Sequence, residues 1–362
     1  MIVKEVEIVP EKKENPGLDA GKALRGLKIA IGLSLLFSTL VILATFDEET
    51  FLKAISSLSP LIILEILILL MINFIAAGLE VKIMVKATGN NLALREGIKS
   101  YLVSSFASNV TPMASGGGPF QIYFLHKRGL SLGQATTVVL TKFVLRSFYF
   151  SFSSSFFLLF FNELISPGAL PDRIFYFCIA LGFLIAASIA AFCLSPDLIN
   201  YLIKCLFRFE KVRNLVKRNY SLKRILVRGR KELRDFHHSM EVLAQHKKKV
   251  ILAACCTFVY WSSLFLIVPV ILKGLGYEPN FLQSYIMLTI FNLIIPYMPT
   301  PGASGMAELG FASIFVSFIP KGIIGLVTFL WRFVSFYLIL IIGGLFTFRE
   351  LGWKKRKDKE NE

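Results

Sequence analysis

The sequence predicts an all-α polytopic membrane protein, and three observations carry that prediction. Hydrophobic residues make up 55% of the 362, and the mean hydropathy is +0.64. Six apolar stretches are long enough to cross a hydrocarbon core of about 30 Å, which takes about 20 helical residues. The Lys and Arg behind the formal charge of +16 cluster beside those stretches, as the positive-inside rule expects of cytoplasmic loops.

In chain order, residues 1–21 read as a cytoplasmic tail. A first repeat, 22–168, contains spans at 29–46, 61–79 and 135–161; a second, 169–348, contains spans at 174–194, 250–272 and 322–348. Residues 349–362 form a basic cytoplasmic tail. The first stretch ends Leu43-Ala44-Thr45-Phe46-Asp47 without a small-residue cleavage site, so it reads as a retained span. Lys22, Arg25 and Lys28 precede it, while Asp47, Glu48 and Glu49 follow, which sets the N-terminus inside. The loop 195–249 holds fifteen Lys/Arg against five Asp/Glu and belongs on the same side. With Lys354-Lys355-Arg356-Lys357 at the end, both termini are expected in the cytoplasm of a prokaryotic-type plasma membrane.

That charge map constrains two apolar segments broken by Pro and Gly. Residues 101–125 are interrupted at Pro112 and at Gly116-Gly117-Gly118-Pro119; residues 281–319 are interrupted at Pro296, Pro299 and Pro301-Gly302. Each half is too short to span alone at 1.5 Å per residue. Full crossings would also strand basic loops outside. Both segments are therefore predicted to be re-entrant hairpins, one from each side. Non-helical backbone at membrane depth is tolerated only where protein or a wet cavity covers it, so the breaks mark an interior site.

The hairpins share a motif. Pro112-Met113-Ala114-Ser115-Gly116 and Pro301-Gly302-Ala303-Ser304-Gly305 both read P-x-A-S-G, and each following span carries one mid-helix arginine, Arg146 or Arg332. Together these predict an inverted-topology repeat with binding between broken helices. Gly117 and Gly302 are expected to face each other at mid-depth.

A charged residue at a span centre is costly and reads as functional by default. Half-helix N-termini beginning near Ser115–Gly118 and Ser304–Gly305, with Ser115 and Ser304 as N-caps, would add positive potential. Arg146 and Arg332 with these ends suit a phosphate, which an Arg fork binds bidentately. Lys142, one turn before Arg146, would share its face. Glu308 lies four residues after Ser304, outside the spacing of a capping box. Glu65 and Asn73 read as facing the bundle interior. The competing reading pairs Arg332 with Glu308 and Arg146 with Glu65 as structural ion pairs.

Other function classes lack a signal. The five cysteines have no ligand spacing and read as structural, the four histidines are dispersed, and neither a metal nor another cofactor is expected. No nucleotide, hydrolase or metalloprotease motif is present, nor an aromatic-and-basic nucleic-acid motif. The expected partners are membrane lipids, anionic or phosphate-bearing, and a homo-oligomer is compatible with the fold.

At these residues the chain resembles the lysylphosphatidylglycerol synthase transmembrane-region family. The resemblance rests on Asn109-x-x-Pro112 with Gly116-Gly117-Gly118-Pro119-Phe120-Gln121-Ile122-Tyr123, then Arg128-Gly129, and on Pro299-Thr300-Pro301-Gly302-Ala303-Ser304-Gly305 with Glu308. It covers residues 22–350. Gln121 stands where many relatives carry a basic residue, and Ala303 where many carry glycine. The resemblance implies movement of an aminoacylated or other polar lipid between leaflets, with Asn109, Gln121 and Glu308 at the site. A transferase component needing a soluble partner and a non-transporting scaffold are the alternatives.

Overall fold

The computed structural model describes residues 59–164 and 245–360 continuously, with scattered positions in 32–56, 180–184 and 235–243. The expected spans 29–46 and 174–194, the tail 1–21 and most of the loop 195–249 lie outside the described residues. Every named element among those described is helical. Among the described residues, four helical stretches are long and apolar enough to cross a membrane: Pro60–Ala87, Leu132–Phe160, Lys247–Gly274 and Lys321–Glu350.

Helix α1 (Pro60–Ala87) starts at a proline, whose missing N–H costs nothing at a helix's first turn. It continues two turns past the expected end at 79, because buried Glu80 finds partners in neighbouring helices and the helix has no reason to stop there. Helices α2 (Leu94–Asn109) and α3 (Gly117–Lys127) follow. Helix α4 (Leu132–Phe160) opens with a capping box: the Gln134 N–H donates to Ser131 Oγ, and the Ser131 N–H donates to Gln134 Oε1. The fifth expected span is two helices, α5 (Lys247–Phe265) and α6 (Ile267–Gly274). Pro269 has no N–H for the Phe265 carbonyl and its ring crowds that group, which accounts for the interruption.

Helix α7 (Phe281–Ile294) begins where the Gln283 N–H donates to Asn280 Oδ1, and ends in a 3-10 turn at Ile295–Tyr297. Helix α8 (Met306–Phe315) leads to α9 (Lys321–Arg332), a single π turn (Phe333–Tyr337) and α10 (Leu338–Glu360). The main apolar core lies where α5, α7, α8 and α9 meet. There Phe311 stacks on Trp331, with centroids 4.5 Å apart, and on Phe315 at 4.1 Å.

Helices α2 and α3 fold back on each other. Gln121 Nε2 donates to Ser100 Oγ, Ser104 Oγ donates to the Gly117 carbonyl, and Arg128 Nε meets Glu96 Oε2 at 2.6 Å. Helices α7 and α8 likewise pack side by side, with Gly310 against the Phe291 ring. The two breaks have matching backbones, with positive φ at Met113 and Ala114 and at the aligned Gly302 and Ala303. In both, the Ser N–H of the motif donates to the carbonyl of its first proline: Ser115 to Pro112, and Ser304 to Pro301. The tips touch, because Pro112 and Pro301 form an isolated antiparallel bridge.

Polar contacts sort the helix ends into two sets. Lys249 donates to the Lys86 carbonyl, Gln134 Nε2 to the Thr88 carbonyl, and Arg128 bridges Glu96 and Glu350. That gathers the basic ends of α1, α3, α5 and the last span. Burial raises the Glu96 carboxyl, but hydrogen bonds from Lys99 and Arg128 outweigh it and hold the group below the ordinary carboxylate range. At the other end Lys273 pairs with Glu65, Gln283 Nε2 donates to the Leu164 carbonyl, and Gly274 abuts Ile62.

Small residues set how closely α2 is held. A Cβ on Gly97 would run into the carbonyl of Gly78 on α1, and one on Gly343 would lie 2.5 Å from the Leu102 carbonyl. Backbone-to-backbone approach of this kind is how helices associate in lipid.

Candidate functional site

The two halves treat their arginines differently. In the second, Arg332 is 5% exposed and its Nε donates to Glu308 Oε1 at 2.8 Å, while Nη2 donates to the Gly302 carbonyl at 3.0 Å. Its guanidinium lies 4.3 Å from the Phe336 ring centroid. The other carboxylate oxygen of Glu308 accepts the Gly305 N–H at 2.7 Å. Glu308, 0% exposed, is thus a built-in anion for both Arg332 and the N-terminus of α8.

The first half has no such carboxylate, because Pro119 occupies the position aligned with Glu308. Arg146 stacks over Trp261 at 4.7 Å and Phe150 at 5.7 Å. Among the described residues no carboxylate lies within salt-bridge distance of it.

Arg146 stands between two adjoining cavities. The larger, about 470 Å³, is lined by Gly117 and Gly118 at the start of α3, by Gln121, Lys142 and Glu80, and by Ser104, Ser105, Ser108, Ser147 and Ser151. Its volume is that of a small-molecule site. The hydroxyl of Ser151 is buried and has no hydrogen-bond partner among the described residues. Met113 and Phe143, also on its wall, are 56% and 44% exposed. The smaller, about 200 Å³, takes in Asn109, Asn292, Thr300, Gly302 and Arg332. Tyr101, Tyr260, Trp261 and Arg146 line both.

A cavity between two broken helices, on a chain whose motifs sit at the breaks, invites comparison with known proteins. The family model described as the lysylphosphatidylglycerol synthase TM region matches residues 27–343. The chain belongs to that family. A relative from Archaeoglobus fulgidus, a UPF0104 membrane protein, is 26% identical over 319 residues, which cover 87% of this chain and 94% of that protein. The family is that of a membrane region linked to a lipid synthase, and this member is a multi-pass membrane protein.

Most of the expected site residues fall into three groups. Arg146, Lys142, Gln121, Gly117 and Gly118 come together at the larger cavity, and Arg332, Asn109 and Gly302 at the smaller. Ser304, Gly305 and Glu308 are buried behind the second break, where Gly305 is the N-cap at φ 86°. That shift of one residue makes Glu308 the third helical position, so it caps the Gly305 N–H after all. Ser115 is exposed and its hydroxyl donates back to the Pro112 carbonyl; Gly116 is the N-cap, and its N–H donates to Thr111 Oγ1.

Two expectations fail. Of the two ion pairs in the competing reading, Arg332–Glu308 is present and Arg146–Glu65 is not: Glu65 pairs with Lys273 at 2.9 Å, about 18 Å along α1 from Ala77 on the cavity wall. Asn73 does face the interior, where its Nδ2 donates to the Tyr260 carbonyl. Eight residues on a helix are not a whole number of turns, so the two side chains diverge. Gly117 and Gly302 do not face each other either. Gly117 packs on Ser108 within its own hairpin, and Gly302 lies against Phe336 and near the Asn109 carbonyl, which a Cβ added at Gly302 would approach to 3.1 Å.

One residue escaped the sequence reading. Glu80 is 6% exposed, accepts from Thr257 Oγ1 at 2.7 Å, and lies 3.7 Å from Lys142 Nζ. Its available signal was a lone acid followed by the basic run after an apolar stretch, which resembles any span end. The aromatic wall of Tyr101, Tyr260 and Trp261 left no signal separable from core.

Proposed function

We propose that this protein moves a phosphate-bearing lipid between leaflets, with Arg146 as the anion-binding residue of the larger cavity. One observation carries this reading: among the described residues Arg146 lacks the carboxylate that satisfies Arg332, and it borders a cavity lined by serine hydroxyls as well as apolar side chains. A lipid phosphate supplies the missing anion while its acyl chains stay in the bilayer. Gly117 and Gly118, at the N-terminus of α3, add positive potential on the same wall. The role proposed is transport without catalysis.

The topology proposed with it has six spans, two re-entrant hairpins (α2–α3 and α7–α8) and an inverted repeat, with both termini cytoplasmic in a plasma membrane. The matched turns and the two sets of helix ends support it. Single cysteines replacing Lys86 and Glu278, in a Cys-free background, are expected to label from opposite sides of the membrane. Labelling of both from one side would remove the inverted repeat.

The transport assay is made in liposomes with a labelled phospholipid. Arg146→Ala is expected to slow transport about 10- to 100-fold, the loss of one charge-assisted hydrogen-bonded contact. Arg146→Lys retains the charge but not the fork and should fall between. Wild-type transport by a folded Arg146→Ala protein would sink the proposal.

A further inference from the structure

We infer that Thr300 is a positioning residue of the second break: its hydroxyl is an alternative acceptor for the Gly305 N–H, and exchange of that N–H between Glu308 and Thr300 is a step of transport. The exchange is argued from the backbone of the two breaks. Its role rests on the transport reading above.

The breaks carry one motif in two arrangements. Both read Thr-Pro-x-Ala-Ser-Gly, at 111–116 and at 300–305. They share positive φ at the third and fourth positions and the backbone hydrogen bond from serine to proline. They part at the glycine. Gly116 has φ −76°, and its N–H donates to Thr111 Oγ1 at 2.9 Å. Gly305 has φ 86°, and its N–H donates to Glu308 Oε2 at 2.7 Å. What the first break does with a threonine, the second does with a carboxylate.

The consequence falls on Thr300. Its Oγ1 is buried and has no hydrogen-bond partner among the described residues. At the aligned position Thr111 Oγ1 accepts from Gly116 and donates to the Ala107 carbonyl. An unpaired buried hydroxyl costs free energy and calls for an explanation. The first break supplies it, by displaying the partner that Thr300 takes in the other arrangement. Little has to move. Rotation of the peptide plane between Ser304 and Gly305 re-aims the N–H and carries Gly305 from φ 86° toward the value at Gly116. Glycine occupies both regions at no steric cost. Glu308 Oε2 then gives up its amide while Oε1 keeps Arg332 Nε. Thr300, Gly302 and Arg332 line the smaller cavity, which Arg146 also borders, so the exchange rearranges a wall beside the proposed anion site.

The test compares Thr300→Val and Thr300→Ser in the purified full-length protein. Transport of a labelled phospholipid in liposomes and thermal unfolding in detergent are measured on each. Thr300→Val keeps the shape and removes a hydroxyl that makes no bond in this arrangement, so its melting temperature should equal or exceed the wild type's. Its transport should nevertheless fall about 3- to 10-fold, the weight of one hydrogen bond in the second arrangement. Thr300→Ser restores the hydroxyl and should restore transport. Another readout needs no transport. In a Glu308→Ala/Arg332→Met background the Gly305 N–H has Thr300 to turn to, so Thr300→Val should there lower the melting temperature by about 2 °C. Thr111→Val, which removes an acceptor in use, should lower it in the wild type. Wild-type transport by Thr300→Val, transport equally slow in Thr300→Ser, or no effect of Thr300→Val on melting in that background overturns the inference. A wild type that moves no phospholipid, beside a melting effect of Thr300→Val confined to that background, overturns the proposed function and leaves the two-acceptor break standing.

Discussion

A Glu308→Ala protein is expected to lose about 3–5 kcal/mol of stability, the usual consequence of stranding one member of a buried ion pair. The mechanism has two parts. Arg332, 5% exposed, keeps its charge and loses its only carboxylate partner among the described residues, while the Gly305 N–H at the start of α8 loses its acceptor. Glu308→Gln retains an acceptor for Gly305 and should cost less. Glu308→Gln combined with Arg332→Met should recover most of the loss, because removing both charges avoids the stranded cation. Thermal unfolding in detergent, followed by the monodisperse fraction on gel filtration, reads all three. Wild-type melting of Glu308→Ala would show that water or lipid reaches Arg332 and that the pair is not the keystone of the second break.

Gly97→Leu should also be damaging, by a different route. Its Cβ would press on the carbonyl of Gly78, with the Gly78 carbonyl carbon 3.1 Å and Cα 3.3 Å away. Main chain cannot rotate aside as a side chain does, so α1 and α2 must separate. Overpacking of this kind costs about 1–3 kcal/mol, occasionally more, and here it would also tilt the hairpin that forms the cavity wall. Gly118→Ala serves as the folding control, because its nearest neighbour, Val139 Cγ1, is 3.7 Å away, an ordinary contact. The same unfolding assay separates the two variants. Equal stability would mean that α1 and α2 are free to part without penalty.

How much of this was legible in the sequence depends on where each signal resides. The breaks were legible because proline and glycine act locally: the interruptions at 110–116 and 295–305 fall where the motif prolines stand. Arg146 and Arg332 were legible because a charge in an apolar run is conspicuous. Their different fates were not, since what separates them is one residue, Glu308 against Pro119, read through a three-dimensional equivalence. The N-cap of α8 was misplaced by one position because Gly305, at φ 86°, takes up a conformation that Ser304 would resist. Glu80 was hidden by the hydropathy signal itself. A charged residue ends an apolar window even where, as here, Lys142 and Thr257 on other helices make its burial tolerable.

The meeting of Pro112 with Pro301 has a mechanical consequence. Neither proline has an N–H to give, and the seam between the tips is a single residue pair wide. Among the described residues no backbone hydrogen bond of ordinary geometry joins the two tips, so the joint holds far less than the packing inside either hairpin. Under load the joint therefore yields first, and each hairpin can roll as a stiff lever about the other's tip. The lever arms are α2–α3 and α7–α8. Because Arg332 grips the Gly302 carbonyl one residue from the seam, any such roll of the second lever pulls directly on the buried ion pair behind it.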